Sequence, residues 1–138
     1  MSATHFIDTN ILLYSISDAP DETRKNRIAI DLLDRDGGAL SVQVLQEFYV
    51  QATRASRASR LTHDVAASLI DTWMRFAVQD NNLPVMQHAL AIKARHQLSY
   101  WDSAIVAAAC AQGCGEIWSE DMAHGRQVEG LRVVNPFV

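Results

Sequence analysis

The sequence predicts an α/β protein: three layers, α/β/α, around a short and mostly parallel central sheet. Short β-prone runs alternate with longer segments of helical periodicity, so successive strands are joined by crossovers and run parallel. The segment from Ser103 to Ala111 is apolar all round, as a helix packed on several sides must be. The 138 residues, 49% hydrophobic and 20% charged, suit one domain over 1–138 and are too few for two good cores.

Thr4-His5-Phe6-Ile7 is the first β-prone run, and Asp8-Thr9-Asn10 supplies capping residues for the helix that starts at Ile11-Leu12-Leu13-Tyr14. Residues 22 to 36 make a charged helix with Ile28, Leu32 and Leu33 on one side, stopped by Gly37-Gly38. Ala39-Leu40-Ser41 is a second strand. From Val42, apolar residues at 45, 48, 49 and 52 recur at helical spacing, and a further helix runs from about Thr62 to Phe76. Ala77-Val78-Gln79 is a third strand, residues 85 to 97 an amphipathic helix, and Glu116-Ile117-Trp118 and Leu131-Arg132-Val133-Val134 the last two strands.

This composition excludes a disordered tail or a fibre. No apolar run approaches the roughly 18 residues of a membrane span, and Met1 to His5 lack the basic and apolar stretches of a leader. The expectation is a cytoplasmic protein without a membrane partner. Cys110 and Cys114, four apart in an Ala-rich stretch, predict two buried thiols on one helix face. His5, His63, His88, His96 and His124 have no metal-ligand spacing and are assigned no chemistry.

Net charge is −4, with a pI near 5.6. Nucleic-acid binders usually carry the opposite sign, yet 10 of the 12 cations are Arg, the side chain best shaped for bidentate phosphate contact.

In open parallel sheets ligands bind at the carboxyl ends of the strands. Asp8 directly follows the first strand and Asp121 lies just beyond Glu116-Ile117-Trp118, so both belong to that edge. Glu47, about two turns into its helix, could reach back toward it, and Asp102 opens the apolar helix. Converging carboxylates repel, and burial makes the charged forms costlier unless a cation neutralises them. Oxygen-only ligands favour Mg²⁺ or Mn²⁺ over zinc, and the chemistry implied is phosphodiester hydrolysis. The plainer reading is that Asp8, Thr9, Asn10 and Asp102 are helix caps, Glu47 a surface acid, and Asp121 a turn acid. Asp80 follows a strand equally well. Spacing alone leaves the two readings level.

A resemblance appears at these same places. Phe6-Ile7-Asp8-Thr9-Asn10-Ile11-Leu12, Val44-Leu45-Gln46-Glu47-Phe48, Leu98-Ser99-Tyr100-Trp101-Asp102-Ser103-Ala104-Ile105 and Trp118-Ser119-Glu120-Asp121-Met122 resemble, in order, the motifs of the PIN-domain family. The ending Leu131-Arg132-Val133-Val134-Asn135-Pro136-Phe137 is similar to VapC-like toxins of toxin–antitoxin modules. The resemblance implies a Mg²⁺-dependent endoribonuclease. Asp8 and Asp102 would be the principal metal ligands, Glu47 would hold a second metal or its water, and Asp121 would complete the pocket. Thr9 and Asn10 would hydrogen-bond the site from behind, and Ser119 stands where the family often has Thr. The resemblance also implies a homodimer and a small antitoxin whose tail enters the acidic groove. Two departures stand out: His5 occupies a strand position more usually apolar, which points to a local polar contact, and the stretch after Asp121 lacks an expected aromatic residue.

Arg54, Arg57 and Arg60 recur every three residues, and in helical form would line a basic stripe for RNA; Arg126 is a weaker candidate. The same cations would equally suit a solvated helix end. Trp73 and Trp101 fall within apolar periodicity and are expected in the core. Alternatives are a stand-alone RNA-processing nuclease, a non-catalytic PIN-fold binding module, and a receiver-like signalling domain. The last should carry a pocket Lys, and the only lysines are Lys25 and Lys93. Metal neutralisation of the four acids would cancel the whole net charge.

Overall fold

β1 (His5–Ile7) is buried at every residue, which requires neighbours on both edges and both faces. It has them in the computed structural model, which describes residues 3–138; the leader expectation at Met1 and Ser2 lies outside this range. β1 pairs in parallel with β2 (Gly38–Ser41) and β4 (Glu116–Trp118), and β2 pairs in parallel with β3 (Ala77–Gln79). On the other side β4 pairs in parallel with β6 (Leu131–Val134), giving the order β3-β2-β1-β4-β6-β5. The expected mostly parallel α/β sheet is therefore present.

The edge strand β5 (Gln127–Val128) is an addition that the sequence reading did not contain, and it runs antiparallel to β6. Its turn is Glu129-Gly130, both at positive φ (52° and 80°), the two-residue geometry that matches strand twist. Glu in place of the usual Asn or Asp hides the signal, and the strand is only two residues long.

One helical layer is α5 (Leu83–His96) against α6 (Tyr100–Ala111), with α6 lying on β2, β3 and β4. Buried throughout from Ser103 to Ala109, α6 fills the space between α5 and the sheet. In the other layer α1 (Thr9–Ser15) packs against α2 (Thr23–Leu33) and α3 (Val42–Ala52), and α4 (His63–Trp73) against α3. Phe6, Ile7, Leu40, Phe48, Val106 and Ile117 are fully enclosed between the layers.

The Arg stripe is corrected by the structure. α3 ends at Ala52, and Arg54, Arg57 and Arg60 lie in successive turns, with Ser59 at φ 55° and the Leu61 amide returning to the Ala52 carbonyl at 2.9 Å. Ala55, Ser56, Ala58 and Ser59 give a helix here no apolar face to bury, so nothing would hold its turns in water. Cys114 is also displaced from expectation. It lies beyond the end of α6, buried, where desolvation pushes its thiol up to about 11. No helix among the described residues is long and apolar enough to cross a membrane.

Gly38 shows how tightly the sheet is covered: a Cβ there would meet the Phe76 ring at 2.8 and 2.9 Å and Ile7 Cδ1 at 3.1 Å. Phe76 is itself buried, so its ring must shift to admit the methyl group. Gly38→Ala is expected to lower unfolding stability by about 1–3 kcal/mol, measured by urea titration.

Candidate active site

Parallel pairing brings the strand ends together. Ile7 is in register with Trp118, so the next residues, Asp8 and Ser119, leave the sheet side by side. The Asp8 amide donates to the Trp118 carbonyl (3.1 Å) and the Ser119 amide to the Val134 carbonyl (3.0 Å), carrying the ladder one step past the strands.

Asp8 is the N-cap of α1: its Oδ1 accepts from the Thr9 amide at 2.7 Å. Its Oδ2 accepts from the Ser119 hydroxyl at 2.6 Å and from Asn10 Nδ2 at 3.4 Å. Asn10 Nδ2 also donates to Ser119 Oγ and to Asp121 Oδ2, both at 3.2 Å, while its Oδ1 accepts from the Glu120 amide at 3.2 Å. The Asp121 amide donates to Ser119 Oγ at 3.1 Å. Ser119 thus uses its one donor and both lone pairs.

Glu47 enters from α3, whose N-cap Ser41 accepts from the Val44 amide. Each of its carboxylate oxygens has a donor: Thr9 Oγ1 to Oε2 and Gln43 Nε2 to Oε1, both 2.8 Å. Asp102 sits in the first turn of α6, where Ser99 caps the helix by accepting from the Asp102 amide at 3.1 Å. Asp8, Glu47, Asp102 and Asp121 all line one cleft of about 710 Å³.

Burial pushes the Asp8 carboxyl up to about 6, against the pull of Ser119 and Thr9, with repulsion from Asp121 and Glu47 added. Asp102 is raised by burial and by the same two acids. These groups therefore share one negative field that a hard cation would relieve, and oxygen-only donors suit Mg²⁺ or Mn²⁺. No His or Cys lines the cleft. Among the described residues no three His, Cys, Asp or Glu side chains close into a ready-made cage.

The structure separates the remaining candidates. Thr9, Asn10 and Ser119 touch the acids as described. Arg57 lines the cleft; Arg54 and Arg60 are exposed outside it. Arg126 donates to the His96 carbonyl at 2.7 Å and lies away from the cleft. Asp80 is exposed and also outside. Trp73 is in the core, but Trp101 is not: it is 63% exposed and lines the cleft. Its position one residue before Asp102, in a first turn that faces the cleft, explains the difference.

Two features escaped the sequence reading. Gln43, one turn before Glu47, braces it, which an i,i+4 search would find. Glu120 accepts from Tyr14 Oη at 2.5 Å and pairs with Lys25 of α2, closing one end of the cleft. This Lys is already matched to an acid, and Lys93 is exposed on α5. His5 has its polar contact, Nδ1 lying 3.0 Å from Thr4 Oγ1, and it also stacks on Trp118 with centroids 3.7 Å apart.

A mostly parallel α/β fold with an acidic cleft at the carboxyl edge defines the class of protein. The chain belongs to the PIN-domain family, whose model matches residues 5–127. It is similar in fold to a chain of a toxin–antitoxin complex from Klebsiella pneumoniae, at 19% identity and TM-score 0.72 over 96% of this chain and 98% of that one. It is also similar to the VapC20 toxin of Mycobacterium tuberculosis, described as cleaving the sarcin-ricin loop, at 16% identity and TM-score 0.66 over 86% and 90%. A third likeness is to a chain of DNA-bound VapBC from Salmonella typhimurium, at 18% identity and TM-score 0.63 over 95% and 96%. No curated protein sequence matches the chain.

The raised Asp8 carboxyl has a sign that can be checked. Its charged form costs stability, fully above about pH 6, and the cost fades as pH falls toward the ordinary value of 3.8. In chelator, the stability of Asp8→Asn relative to wild type is expected to shift in the variant's favour by on the order of 2 kcal/mol between pH 4 and pH 7.5. Thermal melts of both proteins across that range measure it.

Proposed function

We propose that this protein is a metal-dependent endoribonuclease, hydrolysing RNA phosphodiester bonds, and the toxin of a toxin–antitoxin pair. One observation carries the reading: Asp8, Glu47, Asp102 and Asp121, from four separate segments, meet in a single cleft with the first of them buried and its carboxyl raised. Membership of the PIN family supports it, as does likeness in fold to a toxin that cleaves RNA.

A divalent cation, Mg²⁺ or Mn²⁺, held by Asp8, Asp102, Glu47 and Asp121 would supply a water of lowered pKa and neutralise charge on the phosphate. The chain's own residues set the conditions. Ser119 and Asn10 fix the planes of Asp8 and Asp121, and Thr9 and Gln43 fix Glu47, so the acids do not rotate away from one another. Arg57 offers a guanidinium to a phosphate at the rim. No Ser, Cys or His nucleophile is required.

Purified protein is expected to cleave structured RNA with Mg²⁺ and to stop in chelator. Asp8→Asn and Asp102→Asn should fall to background, Ser119→Ala and Thr9→Ala should lose about 10–100-fold, and Asp80→Asn should match wild type. Cleavage surviving in both Asp8→Asn and Asp102→Asn would overturn the reading.

The toxin role rests on the same cleft, whose acids suit the basic tail of a small antitoxin, and on likeness to chains found in toxin–antitoxin complexes. A homodimer in the cytoplasm completes the proposal. Co-expression with a small antitoxin that binds the chain should yield a complex without RNase activity, and sedimentation of the chain alone should give a dimer. Full activity in the complex would leave a stand-alone RNA-processing nuclease.

A further inference from the structure

Three Trp side chains separate cleanly by exposure: Trp73 at 4% and Trp118 at 7% are core, while Trp101 is 63% exposed. Leaving an indole in water forgoes a large burial gain. Trp101 is also held in place. Its carbonyl accepts from Gln43 Nε2 at 3.3 Å, the amide that also braces Glu47, and the Tyr100 ring meets its own edge-to-face at 5.0 Å and 78°. The result is a positioned, open aromatic surface one residue from Asp102.

Arg57 is the single cation among the cleft-lining residues and makes no ion pair among the described residues. An unpaired guanidinium on the wall of the cleft is a local place for a phosphate. We propose that Trp101 is a stacking platform for an unpaired nucleobase of the bound nucleic acid, with Arg57 taking a backbone phosphate of the same strand. The inference rests on the nuclease reading and adds the substrate class to it. A base inside a duplex offers no free face, so the strand recognised is single-stranded or looped, and stacking makes the site tolerant of base identity.

The test uses an uncleavable probe, a short 2′-O-methyl oligoribonucleotide, with Ca²⁺ in place of Mg²⁺, beside an abasic oligonucleotide of equal length and charge. Wild type should bind the base-bearing probe about tenfold more tightly than the abasic one, quenching the emission of its exposed indole. Trp101→Leu should abolish that preference and Trp101→Tyr should keep most of it. Arg57→Gln should weaken both probes alike and lower the salt slope by about 1. With Mg²⁺ and cleavable RNA, Trp101→Leu should raise KM about tenfold with kcat within about twofold of wild type.

Equal affinity of wild type for the two probes, or an unchanged preference in Trp101→Leu, overturns the inference. So does a Trp101→Leu variant that loses only antitoxin binding, which would assign the indole to a protein partner. Binding here is scored without turnover. A base preference through Trp101 in a protein that never cleaves would sink the nuclease reading alone, and cleavage with base-independent binding would sink the stacking site alone.

Discussion

A carboxylate buried beside other carboxylates is the constraint on which the rest of the structure depends. Asp8 is only 5% exposed, and Asp121 and Glu47 are near enough to raise its carboxyl further. Such a group survives only if donors converge on it, and they come from three directions: the first amide of α1, the Ser119 hydroxyl after β4, and the Asn10 amide. Each donor requires a larger element in place. Ser119 reaches Asp8 because Ile7 and Trp118 are in register, and that register is secured by the enclosed Phe6 and Ile117 beside them.

The cleft therefore has walls of different character. On the braced side, Asn10 ties Asp8, Ser119, Asp121 and the Glu120 amide into one network, and Thr9 links it to Glu47. Gln43 extends the bracing from Glu47 to the first turn of α6, so two helices from opposite layers meet at the site through a single amide. On the other side, Arg57, Ala58 and Ser59 come from turns with few hydrogen bonds. On the proposed reading, rigid elements would orient the acids, and the less constrained wall would leave room for a strand of varied sequence.

Legibility in the sequence follows from this division. The four acids were readable because a parallel sheet sends every strand end to one edge, so that an acid just past an apolar run is placed by topology alone. Topology did not separate them from Asp80, which also follows a strand; only three-dimensional placement in the cleft does. The Arg54, Arg57 and Arg60 stripe misled because spacing of three implies a helix only where an apolar face holds it, and the Ala and Ser residues between them provide none. Trp101 misled for a related reason. Periodicity assigns a face relative to the helix axis, but in the first turn of α6 Tyr100 packs on the core while Trp101 beside it lines the cleft. β5 was invisible because two residues carry no period.

Charge in the cleft is strongly one-sided, and that bears on how a polyanion could enter it. Asp8, Asp18, Glu22, Glu47, Asp102, Glu120 and Asp121 line the cleft against Arg57 alone, and Lys25 offsets only Glu120 from behind. An RNA strand approaching without a cation would meet a repulsive field over most of this surface. On the proposed reading Asp8, Glu47, Asp102 and Asp121 would hold a divalent cation, which would neutralise the acidic centre and let a phosphate rest there. Until that happens, affinity has to come from groups indifferent to phosphate charge or attracted by it. Trp101 is the first kind and Arg57 the second, and both line the cleft while the netted carboxylates hold its centre. The net charge of −4 is then concentrated in the cleft, where seven acids face one Arg, and says little about the rest of the surface.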